Sequence, residues 1–175
     1  LLILVLLPLQ ANAQERFEWF PGGNYDTSIP TPESFLGYEI GDAFTWHHQI
    51  KAYLEAVDEA SDRVRMRSYG ESNEGRELML LTISAPQNLG MLEQVRQDMG
   101  RLADPRGVDQ AELDRIIQQR PAIAWLSYNV HGNESVSSEA AMQVVYQLAA
   151  GTDAVTTQIL EELVVILDPL LNPDG

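Results

Sequence analysis

Apolar residues recur with two different periods along this chain, and the changes from one period to the other mark out its elements. From Thr45 to Ala60, Trp46, Ile50, Tyr53, Leu54 and Val57 return every three or four residues, as on one face of an amphipathic helix, with Thr45 placed to cap its start. Arg63 to Tyr69 alternates basic and apolar residues, and Glu77 to Ser84 resumes after the polar turn Gly70 to Gly75, so two strands joined by a turn are expected. Asn88 to Gln119 reads as a charged, helical excursion with Leu89, Leu92, Val95, Met99, Leu113, Ile116 and Ile117 as its apolar positions. Asp104-Pro105-Arg106-Gly107 breaks it in two. Ala122 to Val130 is a nearly unbroken apolar run, which suits a strand covered on both faces. Ser138 to Ala150 carries the stripe Ala141, Val144, Val145, Leu148, Ala149 and stops at Gly151; Asp153 to Glu162 is a further helix, and Leu163 to Leu167 a last apolar run. This order of strands and helices is the layer pattern of an α/β fold.

The chain upstream of Thr45 has a different character. Residues 1–13 are an apolar run ending in Ala11-Asn12-Ala13, a small-residue pattern that fits cleavage of an export signal before Gln14, with the front of the signal missing. The run is too short for a bilayer-spanning helix, which takes about 20 apolar residues, so no membrane anchor is expected after cleavage. Export implies a periplasmic or extracellular protein. Residues 14–44 contain Phe20-Pro21-Gly22-Gly23-Asn24-Tyr25 and Ile29-Pro30-Thr31-Pro32, which favour extended chain over regular helix. They are expected to form an arm over the domain surface, with Trp19, Phe20 and Tyr25 packed down.

Composition narrows the chemistry. There is no cysteine among the 175 residues, which excludes disulfides, a thiol nucleophile and thiolate metal sites and leaves any metal to histidine and carboxylates. A formal charge of −15, with Lys51 the sole lysine, excludes a basic stripe for nucleic-acid phosphates. The long apolar run from Ala122 ends in the polar turn His131-Gly132-Asn133-Glu134. In open α/β sheets the carboxyl ends of buried strands are where ligands bind. An imidazole and a carboxylate three residues apart on such a turn can converge on one cation, and a catalytic zinc needs three protein ligands plus an open position for water. His47 and His48 share the first turn of the first helix and point about a hundred degrees apart, which suits surface histidines better than a ligand pair.

Three segments carry a resemblance. His131-Gly132-Asn133-Glu134, the ending Asn172-Pro173-Asp174-Gly175, and Tyr69-Gly70-Glu71-Ser72-Asn73-Glu74-Gly75-Arg76 followed by Leu78 to Ser84 resemble the zinc carboxypeptidase family called M14, in the family's order. The resemblance covers residues 45–175 and implies a mixed, mostly parallel sheet sandwiched between helices, of which this is the N-terminal part. It implies one zinc ion as cofactor, with His131 and Glu134 as two of three ligands. The third ligand, a His, and the general base, a Glu, are expected beyond Gly175, so no catalytic base is assigned within the chain and residues 1–175 alone are expected to be inactive. Asn133 stands where digestive members often have Arg near the substrate, and His-Gly-Asn-Glu is the form of regulatory and many bacterial members. Arg76 falls near the margin of the family's site and is read as a salt-bridged surface residue without a catalytic role; Asn172 and Asp174 are read as turn formers.

The implied activity is hydrolysis of the last peptide bond of a peptide or protein by a zinc-activated water. A small-molecule deacylase of the aspartoacylase type also carries His-Gly-Asn-Glu, and a non-catalytic relative could keep the fold for peptide binding. The Glu-Gly-Arg hairpin and Asn-Pro-Asp-Gly favour the peptidase.

Overall fold

The computed structural model describes residues 18–175, so the leader expected at residues 1–13 and the first residues of the arm lie outside the described part. Four strands form one sheet in the order β1-β2-β4-β3: β1 is Val64–Glu71, β2 Glu77–Ile83, β3 Ala122–Ser127 and β4 Leu163–Asp168. The sheet is mixed, as expected, but its antiparallel share is larger than expected. β1 with β2 and β2 with β4 pair antiparallel, and β3 with β4 is the parallel pair among the described strands.

Helices cover the sheet. After the arm's short α1 (Pro32–Leu36) come α2 (His47–Ala60), α3 (Pro86–Leu89), α4 (Leu92–Ala103), α5 (Gln110–Gln119), α6 (Ser135–Ala150) and α7 (Ala154–Glu162). Successive strand residues face opposite sides. Met79, Leu81 and Ile83 of β2 and Val165 and Leu167 of β4 thus share one face, and they are buried against Tyr53, Leu54 and Val57 of α2 and Met142 and Val145 of α6. Leu80 and Val164 occupy the other face and are buried as well. That two-sided burial is why the Leu78 and Leu163 runs are apolar at nearly every position.

β3 departs from the expectation of a strand covered on both faces. It stands at an edge of the sheet among the described strands, with Ile123 43% and Trp125 62% exposed. An apolar run signals burial on both sides, but which strand has neighbours on both edges is set by pairing across the sheet, and the run cannot encode that.

The arm holds a short helix where extended chain was expected. Thr31 caps α1 by accepting a hydrogen bond at Oγ1 from Ser34 N at 3.0 Å, and Pro32 occupies the first turn, where its missing N–H costs nothing. The arm is tied down by backbone hydrogen bonds to the end of α6: Asp26 N donates to Ala150 O at 2.8 Å and Thr152 N to Asn24 O at 2.7 Å. Tyr25 stacks on Tyr146 with ring centroids 5.0 Å apart and donates its hydroxyl to Gln147 Oε1 at 2.7 Å. Trp19 and Phe20 remain 44% and 38% exposed, so Tyr25 and Ile29 anchor the arm more than the two leading aromatics do.

The helical excursion is pinned from within. Asp98 of α4 is fully buried and accepts hydrogen bonds from Arg120 Nε at 2.5 Å, Gln94 Nε2 at 3.0 Å and Arg101 Nη1 at 3.2 Å. The Arg120 guanidinium, ahead of the other contacts, holds the carboxyl below its ordinary range, so the buried charge is paired across the break predicted at Asp104 to Gly107. No helix among the described residues is long and apolar enough to cross a membrane.

Candidate metal centre

Topology brings three loops to one edge of the sheet. β3 and β4 run parallel, so the turn after Ser127 and the loop after Asp168 leave from the same side. β2 runs antiparallel to β4, which places the β1–β2 turn on that side too. Hydrogen bonds then lace the loops together: Tyr128 N donates to Asp168 O at 2.8 Å, Leu171 N to Tyr128 O at 3.1 Å and Asn172 N to Asn129 O at 3.1 Å.

His131 and Glu134 close a tight turn in which Glu134 N donates to His131 O at 2.9 Å, and α6 begins directly after it. Glu134 occupies the cap position of α6, yet its side chain caps no backbone amide. The carboxylate turns back instead, and its Oε2 lies 3.2 Å from His131 Nδ1. Both side chains are well exposed, at 71% and 60%. Two donors held about 2.1 Å from one tetrahedral ion stand about 3.4 Å apart. The pair therefore fits two corners of a zinc site in both donor type and spacing. Among the described residues no group of three or more His, Asp or Glu side chains comes together to complete such a site.

The other histidines do not join it as ligands. His47 Nε2 lies 2.8 Å from the carbonyl oxygen of Glu77, at the start of β2, and is held there. Glu139, one turn into α6, is buried and accepts from both the amide and the hydroxyl of Thr45 at 3.2 Å. Thr45 thereby fastens the start of α2 to α6 rather than capping α2; Trp46 is the cap residue, and its N–H donates to Gln49 Oε1 at 3.0 Å. Asn133 sits exposed at the tip of the turn.

Arg76 is a bridge between loops. Its Nη1 lies 2.5 Å from Asp174 Oδ1 and 2.6 Å from Glu74 Oε2. Asp174, read from sequence as a turn former, is the centre of this clasp. Its carboxylate also accepts Ser72 Oγ at 2.7 Å and Glu74 N at 3.0 Å. The clasp thus ties the β1–β2 turn to the loop that follows β4. A parallel contact lies deeper, where Tyr69 donates its hydroxyl to buried Asp168 at 2.6 Å, and burial together with that bond pushes the phenol up. No local pattern could have marked Asp174 or Asp168 as a partner, because each partner lies about a hundred residues away in sequence.

The clasp predicts a pH dependence. The Ser72 hydroxyl first, then the Glu74 amide and the Arg76 guanidinium, hold Asp174 below its ordinary value of 3.8. A carboxyl depressed in the folded state contributes stability above its unfolded pKa and loses it as pH falls through the folded one. In urea unfolding of the full-length protein at a series of pH values, the wild-type midpoint is expected to fall more steeply below about pH 4 than that of Asp174→Asn. Equal slopes in the two proteins would remove the clasp's contribution.

Gly132 and Gly175 meet where the loops are closest. A Cβ on Gly132 would stand 2.5 Å from Gly175 N and closer still to Asn172 O and Gly175 Cα, all backbone atoms. Only a residue without a side chain allows this approach. Beside it lies a cavity of about 140 Å³ whose walls include His47, Arg76, Asn129, Gly132 and Asp174 together with the apolar Ile50 and Leu170, so these groups share one small space next to the turn.

Comparison with known proteins gives the family and the fold. The family model described as zinc carboxypeptidase, peptidase M14, matches residues 50–175, and the chain belongs to that family. Among solved structures, the chain is similar to carboxypeptidase A from Helicoverpa armigera, with a TM-score of 0.55 at 18% identity over 85% of this chain and 28% of that one. It is similar also to thrombin activatable fibrinolysis inhibitor, with a TM-score of 0.52 at 15% identity over 83% and 31% of the two chains. A metallo-carboxypeptidase from Burkholderia cenocepacia gives 0.50 at 20% identity over 73% and 27%. At these identities the likeness is one of fold, and the chain spans less than a third of the length of each of these structures. No curated protein matches the chain in sequence.

Proposed function

We propose that the protein carrying this chain is an exported zinc metallocarboxypeptidase that removes the C-terminal residue of peptides and proteins, with His131 and Glu134 as two of its three zinc ligands. The observation that carries the reading is the 3.2 Å approach of His131 Nδ1 and Glu134 Oε2 at the carboxyl end of β3, in a chain of the zinc carboxypeptidase family. Among the described residues no third ligand gathers beside this pair. Export rests on the apolar leader and its Ala11-Asn12-Ala13 ending.

Bound zinc would lower the pKa of its water to about 7 and polarise the scissile carbonyl. The chain's own residues supply position. Glu134 offers a carboxylate oxygen and His131 an imidazole nitrogen to the same point, and α6 starts directly beneath them. Asn133 projects at the tip of the turn, where it can meet the substrate. Arg76 is engaged by Asp174 and Glu74, so its part at the substrate margin is to hold the neighbouring loop.

Incubating the full-length protein separately with peptides and with N-acyl amino acids, and separating the products by chromatography, tests the reading. Stepwise release of C-terminal residues, stopped by a chelator and restored by zinc, is expected. Cleavage of acyl amino acids alone would make the protein a deacylase, and peptide binding without turnover would make it a binding protein.

A further inference from the structure

We propose that Asn129 is the positioning residue of the metal turn: its side-chain amide clamps the backbone of His131 and Gly132 and so sets the angle at which His131 meets Glu134. The inference rests on the zinc reading above and goes beyond it, because Asn129 offers no donor to the metal itself.

Four observations converge on this residue. Asn129 is 3% exposed, although it sits at the mouth of a loop whose next residues, Val130 and His131, are open to solvent. Its φ of 54° is the one positive value at a non-glycine residue among those described. Asparagine tolerates that left-handed conformation better than most side chains, and it reverses the chain between β3 and the turn. The backbone of Asn129 is engaged on both sides: its N–H donates to Ser137 Oγ of α6 at 2.8 Å, and its carbonyl accepts Asn172 N at 3.1 Å.

The side chain completes the arrangement. One orientation of the amide offers Nδ2 only the Asn172 carbonyl at 3.4 Å. The opposite orientation places Nδ2 3.0 Å from His131 O and 3.2 Å from Gly132 O. Two carbonyls at good distance outweigh one at the limit of hydrogen bonding, so the second orientation is adopted. Asn129 then bonds to helix α6, to the loop after β4 and to the turn itself. The peptide carbonyls of His131 and Gly132 are fixed, and with them the direction from which the His131 ring leaves the backbone. An exposed pair such as His131 and Glu134 has little packing to orient it, which leaves the backbone as its source of preorganisation.

The test is Asn129→Gly in the full-length protein. Glycine keeps the positive φ without strain and removes the side chain that carries the amide. Zinc affinity, measured by competition with a chromophoric chelator and normalised to the folded fraction from circular dichroism, is expected to fall 10- to 100-fold, the range found when outer-shell partners of metal ligands are removed. The visible spectrum of the cobalt-substituted protein should change shape, and kcat should fall with KM little altered. Affinity and cobalt spectrum equal to wild type would overturn the proposal. If Asn129→Gly does not fold, Asn129→Ser serves, since its hydroxyl is too short to reach both carbonyls; wild-type zinc affinity in that variant would likewise overturn it. His131→Ala separates the two levels. If His131→Ala loses zinc while Asn129→Gly keeps it, the positioning role fails alone, and if His131→Ala keeps zinc, the metal reading fails and the positioning role with it.

Discussion

His131→Ala in the full-length protein is expected to lose its zinc and its peptidase activity while remaining folded. The two halves of this expectation have separate physical grounds. Removing an outer-shell partner of a metal ligand costs 10- to 100-fold in affinity or activity. Removing a ligand itself must exceed that, so a loss of more than about 100-fold in zinc affinity is expected, with turnover falling at least in parallel. Folding should be nearly untouched, because the His131 side chain is 71% exposed and its ion-pair contact is with Glu134, itself exposed. Substitutions at such positions usually change stability by no more than about 0.5 kcal/mol. Metal content by atomic emission, turnover on a C-terminal peptide substrate and the urea midpoint together check it. Stoichiometric zinc and full turnover in this variant would end the zinc reading.

Gly132→Ala should show the opposite separation, a defect of folding that carries the site down with it. The added methyl would meet Asn172 O, Gly175 N and Gly175 Cα, and backbone atoms have no rotamer by which to move aside. Over-packing typically costs 1–3 kcal/mol, and collision with backbone on two residues places this case at about 3 kcal/mol. Relief requires the loop after β4 to draw away from the turn. That movement would strain the Asp174 clasp with Ser72, Glu74 and Arg76 and the hydrogen bond from Asn172 N to Asn129 O. A lowered urea midpoint together with weakened zinc binding is therefore expected, whereas His131→Ala moves the second without the first. An unfolding free energy within about 0.5 kcal/mol of wild type would show that the loops can part freely.

The excursion between β2 and β3 illustrates how far local pattern reaches. Its helices, its break at Asp104 to Gly107 and its apolar positions Val95 and Ile116 follow from period and from Pro and Gly. That Asp98 would be sealed beneath Arg120 does not follow, since a carboxylate at that position reads as one more charge on a polar helix face. The arm shows the same limit in reverse. Pro21, Pro30 and Pro32 argue for extended chain, but Pro32 in a first helical turn is compatible with helix, and Thr31 supplied the cap that made α1 form.

The local elements, the family and the candidate ligand pair could be read from the order of residues, because hydrophobic period, turn composition and a three-residue spacing are properties of neighbours in the chain. His131 and Glu134 belong to one turn, and that turn brings them together. The contacts that join this turn to the neighbouring loops were decided only by the tertiary structure. Parallel pairing of β3 with β4 set two loops side by side, the antiparallel hairpin delivered Arg76 and Ser72 to Asp174, and Asn129 became the joint between them. Such contacts join residues that are remote in sequence, and the strand order that makes them neighbours comes from burying both faces of the sheet at once.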